Sequence, residues 1–211
     1  ENTWAVCWVS GELGSAQTSI TISGLNGDVD EEYLVVGRIV GGSSNTNFGL
    51  RPNNDSATNY GYQVLGGSNV TAEATRSTDS RMRLGSFTNT TNNIHFSNSL
   101  LYAKSGYVRT SISKISSAIS GTTVGGIELV GGVWNNTVDN ITSLVYICVD
   151  VNGLGIGSRI ILLKKVTSTS GLKTGSLEVQ GSVYGTWQKV YSTTLDVAAT
   201  SVTISGLDGN T

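Results

Sequence analysis

The chain has 211 residues, and its 13 Lys and Arg residues nearly balance 15 Asp and Glu residues, which gives a formal net charge of −2. Gly, Ser, Thr and Asn together supply 97 residues, and only 13% of the chain is charged. This composition excludes helical bundles and coiled coils, which need abundant Ala, Leu, Glu, Lys and Arg, and it argues against nucleic acid as a partner, which needs clustered Lys and Arg.

Short apolar runs rich in Val, Ile, Leu and Tyr recur along the chain, and Gly, Asn, Asp or Ser follows most of them. Such a pattern predicts many antiparallel strands. In chain order the runs lie at residues 4–9, 18–22, 33–40, 60–65, 100–104, 127–130, 144–149, 159–163, 183–190 and 201–205. We therefore predict an all-β fold, an antiparallel β-sandwich of the jelly-roll type, with Thr and Ser coating the outer faces of its strands.

Residues 108–119 are the only candidate for a helix. Val108, Ile112, Ile115 and Ile119 follow one another at spacings of four, three and four, which is the spacing of one helical face. The serines of the same stretch compete with helical hydrogen bonding. The sequence leaves a helix and an irregular or extended segment equally open here.

An internal repeat divides the chain. Residues 18–28 read TSITISGLNGD and residues 200–210 read TSVTISGLDGN, with eight of eleven positions identical. We therefore predict one sandwich domain over residues 1–184 and the start of a repeated unit over residues 185–211. The added strands, with Thr200, Val202 and Ile204 as assembly positions, would begin a second copy in a tandem array, dock on the same chain, or pair with a neighbouring molecule.

Two groups of oxygen-bearing side chains are candidates for a calcium site. One contains Asp28 and Asp30, and the other contains Asn53 and Asp55. Carboxylate and amide oxygens are the ligands that calcium prefers, but neither group has the ligand spacing of a known calcium loop. Solvated turn residues are the alternative interpretation.

Glycan binding is a second candidate activity. Aromatic faces stack on sugar rings while amide and carboxylate groups bind hydroxyls, and Tyr60, Tyr62, Gln63 and Trp134 supply these groups. The alternative is that Trp134 packs in the core, as large aromatic side chains commonly do.

The chain has two cysteines, Cys7 and Cys148, each within a predicted strand. They could form a disulfide that closes a long loop. The alternative is a pair of free thiols in the core, which is the default in a reducing compartment.

Enzymatic chemistry has little support in the sequence. His95 is the single histidine, and no nucleophile elbow accompanies it. One histidine and two cysteines also cannot complete a zinc site without carboxylates. We predict a non-enzymatic protein, with glycan hydrolysis as the trailing alternative.

Several segments together resemble a domain of tail and appendage proteins of bacteriophages and related viruses of prokaryotes, over residues 15–166. In order they are SGLNGDVDEEYLVVGRIV, LRPNNDSATNYGYQVLGGSNVTAE, LLYAKSGYVRT, GGVWNNTVDNITSL and GIGSRIILLKK. The resemblance implies a jelly-roll-like sandwich in a virion structural component, displayed on tail fibres or adsorption structures and often repeated in tandem.

The sequence thus predicts a virion structural module of a tail fibre or outer appendage, located in the virion or outside the cell. Its expected partners are identical copies, other virion proteins and a host-surface glycan. No apolar run approaches the roughly 20 residues that cross a membrane, so we expect no membrane insertion. The alternative function is a cellular carbohydrate-binding module or a subunit of an extracellular filament.

Overall fold

The computed structural model describes residues 3–42, 46–68, 71–87, 93–120 and 123–166. Twelve strands and one short helix lie within these ranges. In chain order they are β1 (Thr3–Val9), β2 (Ser19–Ser23), α1 (Gly27–Asp30), β3 (Glu32–Val40), β4 (Thr46–Pro52), β5 (Tyr60–Ser68), β6 (Thr71–Asp79), β7 (Met82–Phe87), β8 (Ile94–Tyr102), β9 (Arg109–Ser120), β10 (Thr123–Trp134), β11 (Ser143–Cys148) and β12 (Arg159–Val166).

The strands form two antiparallel sheets of unequal size. The large sheet has eight strands in the order β1-β12-β3-β8-β9-β10-β5-β6, and the small sheet has four in the order β2-β11-β4-β7. The predicted all-β sandwich is confirmed, whereas the jelly-roll topology stays a prediction. In the part of the chain that the structure describes, no helix is long and apolar enough to cross a membrane.

The hydrophobic core lies between the two sheets. In β2, Ile20 and Ile22 point into it while Thr21 and Ser23 are exposed, as the alternation of the sequence predicts. Neighbouring strands of the small sheet add Phe48 and Tyr146, whose rings stack with centroids 5.6 Å apart. The small sheet therefore turns one apolar face to the large sheet and polar groups to solvent.

The possible helix at residues 108–119 does not form, because this stretch becomes strand β9. Arg109, Ser111, Ser113 and Ile115 are buried, while the residues between them are exposed, so burial has the period of two of a strand. Pairing with β8 on one side and β10 on the other supplies the hydrogen bonds that decide the backbone conformation.

Strands β4, β6 and β7 were not predicted, and β6 shows why. Its sequence TAEATRSTD contains no apolar residue larger than Ala, so no apolar run marks it. It is a strand because its nine residues pair in unbroken register with the nine residues of β5. Glu73 and Arg76 on this edge strand are typical of edges that avoid pairing with other molecules.

The middle of the large sheet is patterned in the opposite sense to the expected one. Ser97 and Ser99 of β8 and Ser111 and Ser113 of β9 are buried on the inner face, beneath the small sheet. The residues that alternate with these serines in β8 and β9 include exposed Phe96 and Ile112. The prediction that Thr and Ser coat the outer faces is therefore wrong for these central strands, although it holds for β2.

Two of the buried serines differ in a way that predicts opposite mutational effects. Ser113 Oγ lies 2.6 Å from Ser99 Oγ in a buried hydrogen bond, whereas Ser111 Oγ has no hydrogen-bond partner among the described residues. A buried hydroxyl without a partner costs about 1 to 3 kcal/mol. We expect Ser111→Ala to raise the free energy of unfolding by about 1 kcal/mol and Ser113→Ala to lower it by a similar amount, measured by urea denaturation. Equal destabilisation by both substitutions would contradict this account.

His95 lies on the same buried face, and burial lowers its pKa from 6.5 to about 4. Below pH 6.5 the unfolded chain gains a proton that the folded chain does not bind, so stability falls as the pH drops towards 4. The expected loss is at most about 1.4 kcal/mol per pH unit. Urea denaturation at several pH values should show this slope in the native chain and a shallower slope in His95→Gln. Parallel curves for the two proteins would exclude His95 as the cause.

Candidate functional site

Asp55, one of the predicted calcium ligands, holds the loop between β4 and β5 to the core. Its carboxylate accepts hydrogen bonds from Trp134 Nε1 at 2.9 Å, Asn59 Nδ2 at 3.1 Å and the Ala57 backbone N–H at 2.9 Å. Burial raises the pKa of Asp55, but these hydrogen bonds outweigh it and leave the pKa below its usual value. Asp55 is therefore a structural acceptor for Trp134.

Asn53 uses both ends of its side-chain amide to hold the loop that precedes β11. Its Nδ2 donates to the Asn140 carbonyl oxygen at 2.8 Å, and its Oδ1 accepts from the backbone N–H groups of Thr142 at 2.9 Å and Ser143 at 3.3 Å. Its backbone has φ +51°, a left-handed conformation that Asn tolerates well. This residue has a complete structural role without a metal ion.

The other predicted calcium ligands lie at helix α1 and are engaged in the same way. Asp28 Oδ1 accepts from the Ser105 backbone N–H at 2.7 Å, a hydrogen bond that lowers the pKa of Asp28. Asp30 accepts from Tyr33 OH at 2.8 Å and pairs with Lys164 Nζ at 2.8 Å. Within the described ranges, no three His, Cys, Asp or Glu side chains lie together in a group that could hold a metal ion.

The four predicted glycan-binding residues do not form one site. Tyr60 and Trp134 are each only 1% exposed and stack in the core with ring centroids 6.3 Å apart, so neither can stack on a sugar. Tyr62 is half-buried on the inner face, with the Arg83 guanidinium 4.8 Å from its ring centroid. Gln63 is exposed on the opposite face. For Tyr60 and Trp134, burial therefore favours the core-packing alternative over a sugar platform.

Trp134 is held in this core position by two charged groups. Besides its hydrogen bond to Asp55, its ring lies 5.3 Å from the guanidinium carbon of buried Arg109. Arg109 donates in turn to the carbonyl oxygens of Asn136 and Asp139 in the loop after β10. The packing interpretation of Trp134 is the one that the structure supports.

Cys7 and Cys148 are not joined in a disulfide, so the disulfide alternative does not apply. Cys148 is buried at the end of β11 in the small sheet. Cys7 is exposed at an irregularity of β1 in the large sheet, which corrects the expectation that both thiols lie in the core. Partial burial of the Cys7 thiol raises its pKa to about 11. At neutral pH this thiol is therefore protonated and a poor nucleophile.

The predicted assembly residues Thr200, Val202 and Ile204 lie outside the described residues, as does the predicted domain boundary at residues 184 and 185.

The most unusual surface of the molecule is the outer face of the large sheet, which faces away from the small sheet. We use the term outer apolar face for the exposed apolar side chains that β5, β8, β9 and β10 present there. Leu65 is 60% exposed and Phe96 is 52% exposed. The complete set is Leu65, Ile94, Phe96, Ile112, Val124, Ile127, Leu129 and Val133.

Strand pairing places these side chains on neighbouring strands of one face, with polar residues such as Ser116 between some of them. Leu129 of β10 lies directly opposite Leu65 of β5, and Ile127 lies opposite Ser116 of β9, which in turn lies opposite Phe96 of β8. Together the eight side chains offer on the order of 800 Å² of accessible surface, comparable to the area that one partner contributes to a standard protein–protein interface. Apolar patches of this size mark interaction surfaces.

Few charges accompany these side chains. Among the described outward-facing residues of β5, β6, β8, β9 and β10, Arg76 and Lys114 are the only charged ones. Lys114 lies beside Leu129, and its long stem allows the ammonium group to reach the rim of a contact. This surface could not be predicted from the sequence, because alternation shows that a strand has two faces but not which face points inward.

A shallow groove adjoins the outer apolar face near the Trp134 end of β10. It has a volume of about 840 Å³, and glycines 61 and 131 leave its floor without side chains. Its polar lining includes Gln63, Arg76, Thr78 and Thr110. No described side chain forms a hydrogen bond or ion pair with Gln63 or Arg76, which lie opposite each other on β5 and β6.

Comparison of the chain with protein-family models, with curated protein sequences and with solved structures finds no match.

Proposed function

We propose that this protein is a non-enzymatic structural module that associates with identical copies through the outer apolar face. The observation that carries the proposal is the patterning of the central strands of the large sheet. The middle of β8 and β9 buries serines, while β8 and β10 expose Phe96, Ile127 and Leu129. An antiparallel sheet with one face in water normally exposes its polar residues. A sheet that exposes its apolar residues is suited to having both faces covered.

A second copy of the chain is the occupant that we propose for this face. The available area matches the share of each partner in a standard interface, and the net charge of −2 opposes association only weakly. The repeated sequence at residues 18–28 and 200–210 also favours a protein whose sandwich units occur side by side. The placement in a viral tail fibre or outer appendage rests on the sequence resemblance of residues 15–166.

The outer-face proposal predicts a loss of self-association without a loss of stability. We expect Leu65→Ser/Ile127→Ser to reduce the oligomeric fraction at least tenfold in mass photometry, because apolar area is removed from the contact. The free energy of unfolding of the single subunit should change by less than about 0.5 kcal/mol per substitution, as is usual for exposed positions.

Val138→Ser provides the matched control, since Val138 is an exposed apolar residue outside this face. It should leave the oligomeric fraction unchanged. If Leu65→Ser/Ile127→Ser instead leaves a monomer that melts at a clearly lower temperature, the face is covered by the same chain and the proposal is wrong. A native protein that is monomeric at micromolar concentration and above also overturns it.

Glycan binding is a second candidate function, at the groove described above and not at the predicted aromatic residues. The unpaired Arg76 and Gln63 favour an extended glycan that carries carboxylate or sulfate groups, because a guanidinium binds such groups through paired hydrogen bonds. The glycine floor allows a sugar ring to approach the sheet closely.

This second candidate is tested on a glycan array that includes acidic polysaccharides. Arg76→Ala and Gln63→Ala should each lower the signal at least fivefold with an unchanged melting temperature, because both side chains are exposed. Arg159→Ala is the control, since Arg159 is exposed on the same sheet but lies at the end of β12, far from the groove. Equal losses in Arg76→Ala and Arg159→Ala, with none in Gln63→Ala, would indicate nonspecific charge attraction and contradict the assignment.

A further inference from the structure

β2, whose sequence recurs at residues 200–210, lies at an open edge of the small sheet. β2 pairs with β11 through five residues, from Ser19 opposite Ile147 to Ser23 opposite Ser143, and it is the first strand of the small sheet. Replacement of such an edge strand leaves the order of the other three strands intact. The place beside β11 is therefore one that a strand of matching sequence can occupy by exchange.

The structure shows what this edge position demands of its occupant. Ile20 and Ile22 are buried against the large sheet, and Leu25 packs against the core. Gly24 has φ +76°, a conformation that favours glycine. Gly27 is buried where a Cβ atom would come within 2.9 Å of the Ala103 carbonyl oxygen, so any other residue would force the backbone to move.

The repeated segment meets each of these demands. The positions equivalent to Ile20, Ile22, Gly24, Leu25 and Gly27 hold apolar or glycine residues of the same kind. They are Val202, Ile204, Gly206, Leu207 and Gly209. Only the first differs, by one methyl group.

The two polar differences between the repeated segments also preserve hydrogen-bond acceptors. Asn26 Oδ1 accepts a hydrogen bond from Asn140 Nδ2 at 3.0 Å, and a carboxylate oxygen of Asp208 is an equally suitable acceptor. Asp28 Oδ1 accepts from the Ser105 backbone N–H, and the amide oxygen of Asn210 can accept the same bond. The exchanges thus keep an acceptor wherever the structure uses one.

The preceding strand behaves differently. Thr3 and Trp4 match Thr186 and Trp187, but Val6, which lies within β1, corresponds to Lys189. The match to structural demand is therefore confined to β2 and the turn that follows it.

We propose that residues 200–210 are a second β2, which can take the place of residues 18–28 beside β11. Two segments then compete for one edge position, and a segment that comes from another copy links two sandwiches through the small sheet. This contact is separate from the outer apolar face and does not rest on the function proposed above.

The competition predicts a strongly non-additive pair of substitutions in the full chain. Ile22→Asp places a charge in the core, but residues 200–210 can then replace the damaged strand, so the protein should stay folded with Tm lowered by roughly 5 °C. Ile204→Asp alone should leave Tm unchanged. The double variant should lose cooperative unfolding, because neither segment then fits.

Leu50→Asp is the control for this series, because Leu50 is a buried residue of β4 without a counterpart in the repeat. It should abolish cooperative unfolding by itself. If Ile22→Asp alone is as disruptive as Leu50→Asp, residues 200–210 do not replace β2 and the proposal is wrong.

A crosslink identifies the occupant directly. In the Ile22→Asp chain, Ser143→Cys/Ser205→Cys should form a disulfide under mild oxidation, since Ser205 corresponds to Ser23, the partner of Ser143. Ser23→Cys/Ser143→Cys in the otherwise native chain is the positive control. A monomeric product shows that the segment comes from the same chain, and a ladder shows that it comes from other copies. A disulfide in the control alone overturns the proposal, whatever the outer-face variants show.

Discussion

The architecture depends on a mismatch, because eight strands of one sheet face only four strands of the other. The small sheet covers one face of part of the large sheet. The hydrophobic core is the single layer of side chains between these two faces. Phe48, Tyr146, Ile20 and Ile22 supply it from the small sheet. β7, the last strand of the small sheet, packs mainly on β10, β9 and β5 of the large sheet. On the outer face of the large sheet, by contrast, side chains such as Leu65, Phe96 and Ile127 stay half or more exposed.

This mismatch makes sense of the unusual distribution of polar residues. In the middle of β8 and β9, four side chains beneath the small sheet are small and hydroxylated: Ser97, Ser99, Ser111 and Ser113. Such a layer contributes less burial energy than Leu or Ile would, since hydroxyl groups need partners to offset their desolvation. The apolar residues of the same strands lie outside, where they stabilise the fold only when another surface covers them. A design of this kind ties stability and association to the same strands.

The clusters that resembled ligand sites in the sequence instead fix loops. Asn53, Asp55 and Asn140 bind the backbone or side chains of neighbouring loops, and Arg109 binds two carbonyl groups in the loop after Trp134. Short amide and carboxylate side chains suit this role because they reach the nearby backbone and accept left-handed conformations. In a chain with few charges and one proline, these hydrogen bonds are a major means of holding the sheet connections.

The sequence predicted the fold class and most strands, because short apolar runs separated by turn residues mark strands such as β3, β5 and β12. It failed for β6, which is held by pairing with β5, and for β9, whose isoleucines mimic helical spacing while its serines point inward. Buried Trp134 could not be told from an exposed sugar platform, since its partner Asp55 is 79 residues away in the chain. The outer apolar face could not be predicted for a related reason. The sequence of a strand with one apolar and one polar side does not say which side packs against the other sheet.

The edges of the two sheets indicate where the assembly can extend. β6 carries Glu73 and Arg76, and the Ser86 N–H of β7 donates to the Glu128 carboxylate at 2.9 Å, so both edges on that side are protected. β2 has no charged residue and is the shortest strand, which makes it the edge most open to exchange. A face that pairs with its own copy gives closed dimers, whereas a strand passed from each copy to the next gives a ring or an open chain. A molecule that uses both the outer apolar face and the β2 edge forms a dimer with one free β2 edge on each subunit. Such dimers can join through these edges into a filament of paired sandwiches.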